Sequence, residues 1–134
     1  MPRLALIILL FLAAFAMGWN SEKHMAAVDS IYYSMPPSIR QDLNLSYMQL
    51  GSIYPDKYFK DFKNHKYPYS YNKSMFWLEQ AKQAYAKKDF ENASYSFGIA
   101  THYIMDSFSA PHYITKEKTI LHNKFESADI KFDM

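Results

Sequence analysis

Apolar positions recur at three- and four-residue steps along several stretches of the chain, the pattern of helices that bury one face. In the first, Met25, Val28, Ile31 and Tyr32 share a side, which predicts a helix over about 22–33 capped by Ser21. Pro36 and Pro37 stop it. Ser38 then opens a second helix whose apolar side carries Ile39, Leu43 and Tyr47, and Gly51 is expected to end it. A third spans 74–87 with Phe76, Leu78, Ala81, Ala84 and Tyr85 inward. Asp89 is placed to cap a fourth, from Phe90 to Phe108, whose inner stripe includes Ala93, Phe97, Ala100 and Ile104. A last helix is expected over about 116–130, after Pro111.

Between 52 and 71 the periodicity fails, and the residues are aromatic and basic without helical order. A long loop is the expectation there. Loops of this length in a compact domain are usually functional or disordered, and so many aromatics argue against disorder. No strand alternation, repeat or low-complexity run appears, so the expected architecture is all-α, a small bundle of about five helices.

The amino terminus has a different pattern. Met1-Pro2-Arg3 is a short positive start, 4–15 an unbroken apolar run, and Ala16-Met17-Gly18 a small-x-small end before polar residues. This is the anatomy of a secretory signal peptide, and the run is shorter than the roughly 20 residues that span a bilayer. The expected division is a signal peptide over 1–18 and a helical domain over 19–134, secreted or extracytoplasmic, with an uncleaved membrane anchor as the alternative. Cleavage after Gly18 would make Trp19 the first residue, with a free α-amine and a nearby carbonyl that together can chelate a metal. In the precursor that nitrogen is an amide, so full metal loading is expected to wait for processing.

Composition narrows the chemistry. A chain of 134 residues, 49% hydrophobic, suffices for one compact domain. Its net charge of +2 is too small to argue for nucleic acid or an anionic membrane by bulk electrostatics. Cysteine is absent, which excludes a disulfide scaffold and any thiolate zinc site. Only 3 glycines occur, and none builds a phosphate-cradling loop.

What remains is imidazole and carboxylate. His102 and Asp106 are four residues apart, as are His122 and Glu126, and on a helix each pair lies on one face about 5–6 Å apart between Cβ atoms. His112 lies between them, just after Pro111. His24 falls in the first turn of the first helix, and Asp56 and His65 fall in the aromatic stretch.

These residues in this order resemble the zinc-dependent phospholipase C family, whose fold is shared with the single-strand-specific fungal nucleases. The resemblance runs from Trp19 to Glu126. It is strongest in His-x3-Asp-x5-His at His102, Asp106 and His112, followed by His-x3-Glu at His122 and Glu126, and it uses all 5 histidines. The resemblance implies up to three zinc ions. His65, His102 and Asp106 would hold one, with Asp56 as a nearby ligand or catalytic base. Trp19, His24 and a bridging Asp106 would hold the second. His112, His122 and Glu126 would hold the third.

The implied activity is phosphodiester hydrolysis by a metal-activated hydroxide, most specifically at the glycerol-side phosphate bond of a phospholipid headgroup, with transient contact at a membrane surface. Zinc lowers the pKa of bound water to about 7, and paired ions clamp both oxygens of an in-line displacement. Glu126 leans towards the phospholipases, while the five-residue step from Trp19 to His24 leans towards the nucleases. The alternatives are therefore a single-strand nuclease or nucleotidase, with nucleic acid as partner, and an inactive metal-binding helical module. The family's Gln-Pro-Met-His is here Ser109-Ala110-Pro111-His112, and the chain stops eight residues after Glu126, where relatives continue. A fragment or a pared-down member is thus expected.

Overall fold

In the computed structural model, which describes residues 20–108, helices follow one another with no strand among the described residues. They are α1 (Ser21–Ser34), the single turn α2 (Pro37–Arg40), α3 (Leu45–Tyr54), α4 (Tyr69–Ala86) and α5 (Phe90–Phe108). Between α3 and α4 lie a π-helical turn, Pro55–Phe59, and a 3₁₀ turn, Phe62–His65. The all-α bundle read from the sequence is the fold. The helix expected over 116–130 lies outside the described residues.

The helix ends show which local rules decided. Asn20, not Ser21, caps α1, its side chain accepting from the Lys23 N–H. Asp89 caps α5 as expected, with its carboxylate accepting from Asn92 N. The second expected helix is split. Pro37 starts a single turn, the chain bends through 41–44, and Asn44 caps a fresh helix. Ser94 Oγ accepts from the Asn44 N–H at 2.8 Å, so the restart is fastened to α5. Ile39, expected inward, is exposed.

Gly51 does not end a helix; it sits inside α3, buried. A Cβ there would run into the carbonyl oxygen of Tyr95 and lie 3.0 Å from Ile99 N on α5. Gly98 on α5 has the reciprocal role, since its Cβ would overlap Met48 O and lie 2.8 Å from the Met48 carbonyl carbon. The two glycines let the backbones of α3 and α5 touch. That contact fixes the depth at which the segment after α3 enters the molecule.

The stretch over 52–71 is not a loop. It is the end of α3, the two tight turns and the first residues of α4, which begins at Tyr69 rather than Ser74. Ser74 is buried within the helix, its hydroxyl donating to the Tyr71 carbonyl. α5 is the central element, packed against α4, α3 and α1. Its buried side includes Ala93, Ile99, Ala100 and Tyr103, with Val28 of α1 and Met48 of α3 fully buried beside it. Phe76 and Ile104, expected inward, are 54% and 37% exposed, because the core lies on other faces of α4 and α5.

Candidate metal centre

Burial along the far half of α5 extends beyond apolar residues: His102 and Asp106, one turn apart, are both inaccessible to solvent. Three other elements bring ionisable groups to them. α1 supplies His24, the π-helical turn supplies Asp56, and the 3₁₀ turn supplies His65 as its last residue. None of the five is more than 4% exposed.

Tight turns explain the delivery. Pro55 opens the π-helical turn directly after α3, and the turn closes at Lys60, which adopts left-handed φ 48° with its N–H donating to the Pro55 carbonyl. The wide turn rolls Asp56 inward off the end of α3. The 3₁₀ turn then reverses the chain and returns His65 to within 3.4 Å of Asp56 Oδ1 through its Nε2.

Asp106 is the hub. Its Oδ1 lies 3.5 Å from His24 Nε2, and its Oδ2 lies 3.2 Å from His102 Nε2 and 2.5 Å from His65 Nδ1. His102 Nε2 is also 3.5 Å from Asp56 Oδ1. The His24 and His102 rings stack with centroids 4.0 Å apart. Two sets of donor atoms suited to a metal ion result: His24, His102 and Asp106, and Asp56, His65 and His102.

These contacts suit a cation better than hydrogen bonding alone. His102 Nδ1 faces the Ser52 carbonyl oxygen at 2.7 Å, so it carries the ring proton and donates it there. Nε2 then presents a lone pair to two carboxylates. Lone pair against lone pair repels unless a positive charge stands between. Among the described residues His102 Nε2, Asp56 Oδ1 and both Asp106 oxygens are buried with no hydrogen-bond partner. Two ligands of a tetrahedral zinc at about 2.0–2.1 Å are about 3.3 Å apart. The separations of 3.2–3.5 Å among these nitrogen and oxygen atoms match that edge.

Electrostatics point the same way. Burial works to raise the Asp106 carboxyl, but the facing His102 and His24 outweigh it and hold it well below the usual carboxylate range. Burial alone depresses His102, yet Asp106 and Asp56 more than reverse this and raise it. Asp56 is raised, chiefly by burial, with His102 and His65 opposing and Asp106 adding to the rise. The pocket therefore demands positive charge, from protons or from a dication.

The structure brings together His24, Asp56, His65, His102 and Asp106, while Trp19, His112, His122 and Glu126 lie outside the described residues. It also adds a support that the sequence pattern did not single out. Tyr103, fully buried beside His102 and His65, donates to Asp61 Oδ2 at 2.8 Å. Asp61 also accepts from the Asn64 side chain. One carboxylate thus ties α5 to the turn that carries His65, and burial followed by this bond raises the Tyr103 phenol above its ordinary value. Tyr103→Phe is expected to lower zinc affinity by about 10–100-fold while costing about 1–2 kcal/mol of stability, because Asp61 loses its partner. Zinc titration and urea unfolding of the variant would measure both; unchanged affinity would remove the supporting role.

An all-α domain in which three imidazoles and two carboxylates converge out of water defines a metal-binding helical protein. Comparison with protein families makes it specific: the model for zinc-dependent phospholipase C matches residues 23–132. The chain belongs to the zinc-dependent phospholipase C family. No curated protein and no solved structure gives a match. Among the described residues no helix is long and apolar enough to cross a membrane.

Proposed function

We propose that the protein is a secreted zinc-dependent phosphodiesterase of phospholipase C type, cleaving the glycerol-side phosphate bond of a phospholipid. The observation that carries this reading is the meeting of His24, Asp56, His65, His102 and Asp106 in one buried cluster within a chain of that family. A single imidazole lone pair serves one ion, so His102 belongs to one of the two donor sets. Asp106 has two oxygens, which face different imidazoles, and is the residue able to bridge. His65, His102 and Asp106 would hold one zinc with Asp56 beside it, and His24 and Asp106 would hold a second, completed by the Trp19 amine and carbonyl in the mature chain. His112, His122 and Glu126 would hold a third.

Bound zinc supplies Lewis acidity, which makes water nucleophilic near neutral pH and offsets negative charge on the phosphate. The side chains do the positioning. The Ser52 carbonyl fixes the His102 tautomer, and the Asp61–Tyr103 bond holds His65 in place. Asp56, in its ionised form, would orient the attacking water and take its proton, becoming the carboxylic acid; burial raises its pKa and so strengthens it as a base.

Assaying phosphatidylcholine, single-stranded DNA and a chromogenic phosphodiester side by side, with and without chelator, tests the reading. Chelator-sensitive release of phosphocholine is expected. Turnover of DNA in its place would make the protein a nuclease, and turnover of none by the zinc-loaded mature chain would make it an inactive metal-binding module.

A further inference from the structure

The segment between Asp56 and His65, continued into α4, has a second character that the metal centre does not use. Seven of the twelve large apolar or aromatic side chains exposed among the described residues lie within 58–76. Tyr58, Tyr67 and Tyr69 are 60%, 63% and 50% exposed, and Phe76 is 54% exposed. Elsewhere such side chains are scattered singly, as on any soluble surface.

Charge is segregated onto the same stretch. Lys57, Lys60, Lys63 and Lys66 are exposed and Lys73 is half-buried. Of the two acids in this stretch, Asp56 is buried in the cluster, and Asp61, held by Tyr103 and Asn64, offsets one of the five lysines. A chain whose net charge is only +2 therefore presents a local excess of positive charge here, five lysines against Asp61. The two characters are interleaved in space. Lys63 Nζ lies 5.9 Å from the centre of the Tyr69 ring, and Phe59 stacks on Trp77 with centroids 5.9 Å apart. Phe59, Lys60, Lys73, Phe76 and Trp77 also line one cleft of about 440 Å³, with Asp61 and Asn64 in its wall.

Amphipathic rings beside lysines suit the boundary between lipid headgroups and acyl chains, and an excess of cations suits an anionic leaflet. We infer that the basic and aromatic surface over 57–77 is a docking face for anionic phospholipid membranes, separate from the metal cluster that would do the chemistry. Because this face is built on the segment that connects Asp56 to His65, docking brings the membrane to the side of the molecule from which two site residues enter. The inference gains its purpose from the phospholipase reading, but it is a binding property that can be measured without turnover.

Sedimentation on ice of the zinc-loaded mature chain with vesicles of phosphatidylcholine alone, or with one third phosphatidylglycerol, is the test. Partitioning onto the anionic vesicles is expected to be at least about tenfold stronger, and to weaken in high salt. The double variant K60E/K73E should lose at least about tenfold of this partitioning, and Phe76→Ser, at an exposed position, should lose part of what high salt leaves. Circular dichroism and zinc content report whether each variant is folded. Equal binding to both vesicle types, or wild-type binding by folded K60E/K73E, would overturn the inference, as would tighter binding to a single-stranded oligonucleotide than to anionic vesicles. Anionic binding without hydrolysis of any lipid would leave the docking face standing and refute the phospholipase reading; hydrolysis without anionic preference would do the reverse.

Discussion

Asp106→Asn is expected to remove zinc and activity together. Among the described residues Asp106 is the one whose carboxylate reaches His24, His65 and His102, and both its oxygens are buried among them. Loss of a group that merely orients a ligand costs about 10–100-fold in affinity or activity, so loss of the charge on which the ligands converge should cost at least about a thousandfold. The amide keeps the shape but not the charge that would bind a dication and bridge two imidazole sets. A second readout is thermal. Zinc at about 100 times its dissociation constant should stabilise the wild type by about 2.7 kcal/mol, or about 10 °C or more for a domain of this size. In Asp106→Asn, at the same zinc concentration, that rise should shrink to less than about one degree. Melting curves with zinc and with chelator would measure it, and a zinc-induced rise equal to that of the wild type would contradict the hub role.

Gly98→Ala is expected to be the most destabilising single methyl in the described domain. Helix propensity alone favours the change, because alanine exceeds glycine by about 1 kcal/mol inside a helix. Packing opposes it and wins. The added Cβ would overlap the Met48 carbonyl oxygen and approach its carbon and Cα to 2.8 and 3.0 Å, all backbone atoms of α3 that cannot rotate away. Relief requires α3 and α5 to separate, opening the core around Met48 and Ile99, at a cost of about 3–5 kcal/mol. The melting temperature should fall by about 10–20 °C. Zinc affinity should fall with it, because α3 carries the Ser52 carbonyl that fixes His102 and leads into Asp56. Gly51→Ala meets Tyr95 in the same way and should behave alike. A melting temperature at or above wild type in either variant would show that the helices are not in backbone contact.

These glycines also show where sequence reading stopped. Both long helices on either side of Lys88 were legible, because apolar periodicity sustained over several turns leaves little choice, and Asp89 marks where α5 starts. Gly51 read as a terminator because glycine commonly takes left-handed backbone at a helix end. Here it serves close approach to a partner that no local pattern reveals. The 52–71 stretch read as a loop because one π-helical and one 3₁₀ turn have no 3.6-residue period, and their side chains answer to the buried cluster rather than to an apolar stripe.

The site was legible in a parallel way. The His102–Asp106 step is a helix-surface relation visible in any helix, and their 3.2 Å contact follows from it. The meeting of His24, Asp56 and His65 with them depends on tertiary packing, and came from the order of residues in a family resemblance. Asp61 and Tyr103 were invisible, since their bond joins a turn to a helix 42 positions away.

Anomalous scattering from crystals of the zinc-loaded chain beginning at Trp19, recorded at the zinc edge, tests the central claim most directly. Peaks should appear within about 2.0–2.2 Å of His102 Nε2 and of both Asp106 oxygens. Density showing His102, His65 and Asp106 joined only by hydrogen bonds, with no anomalous signal among them, would contradict it.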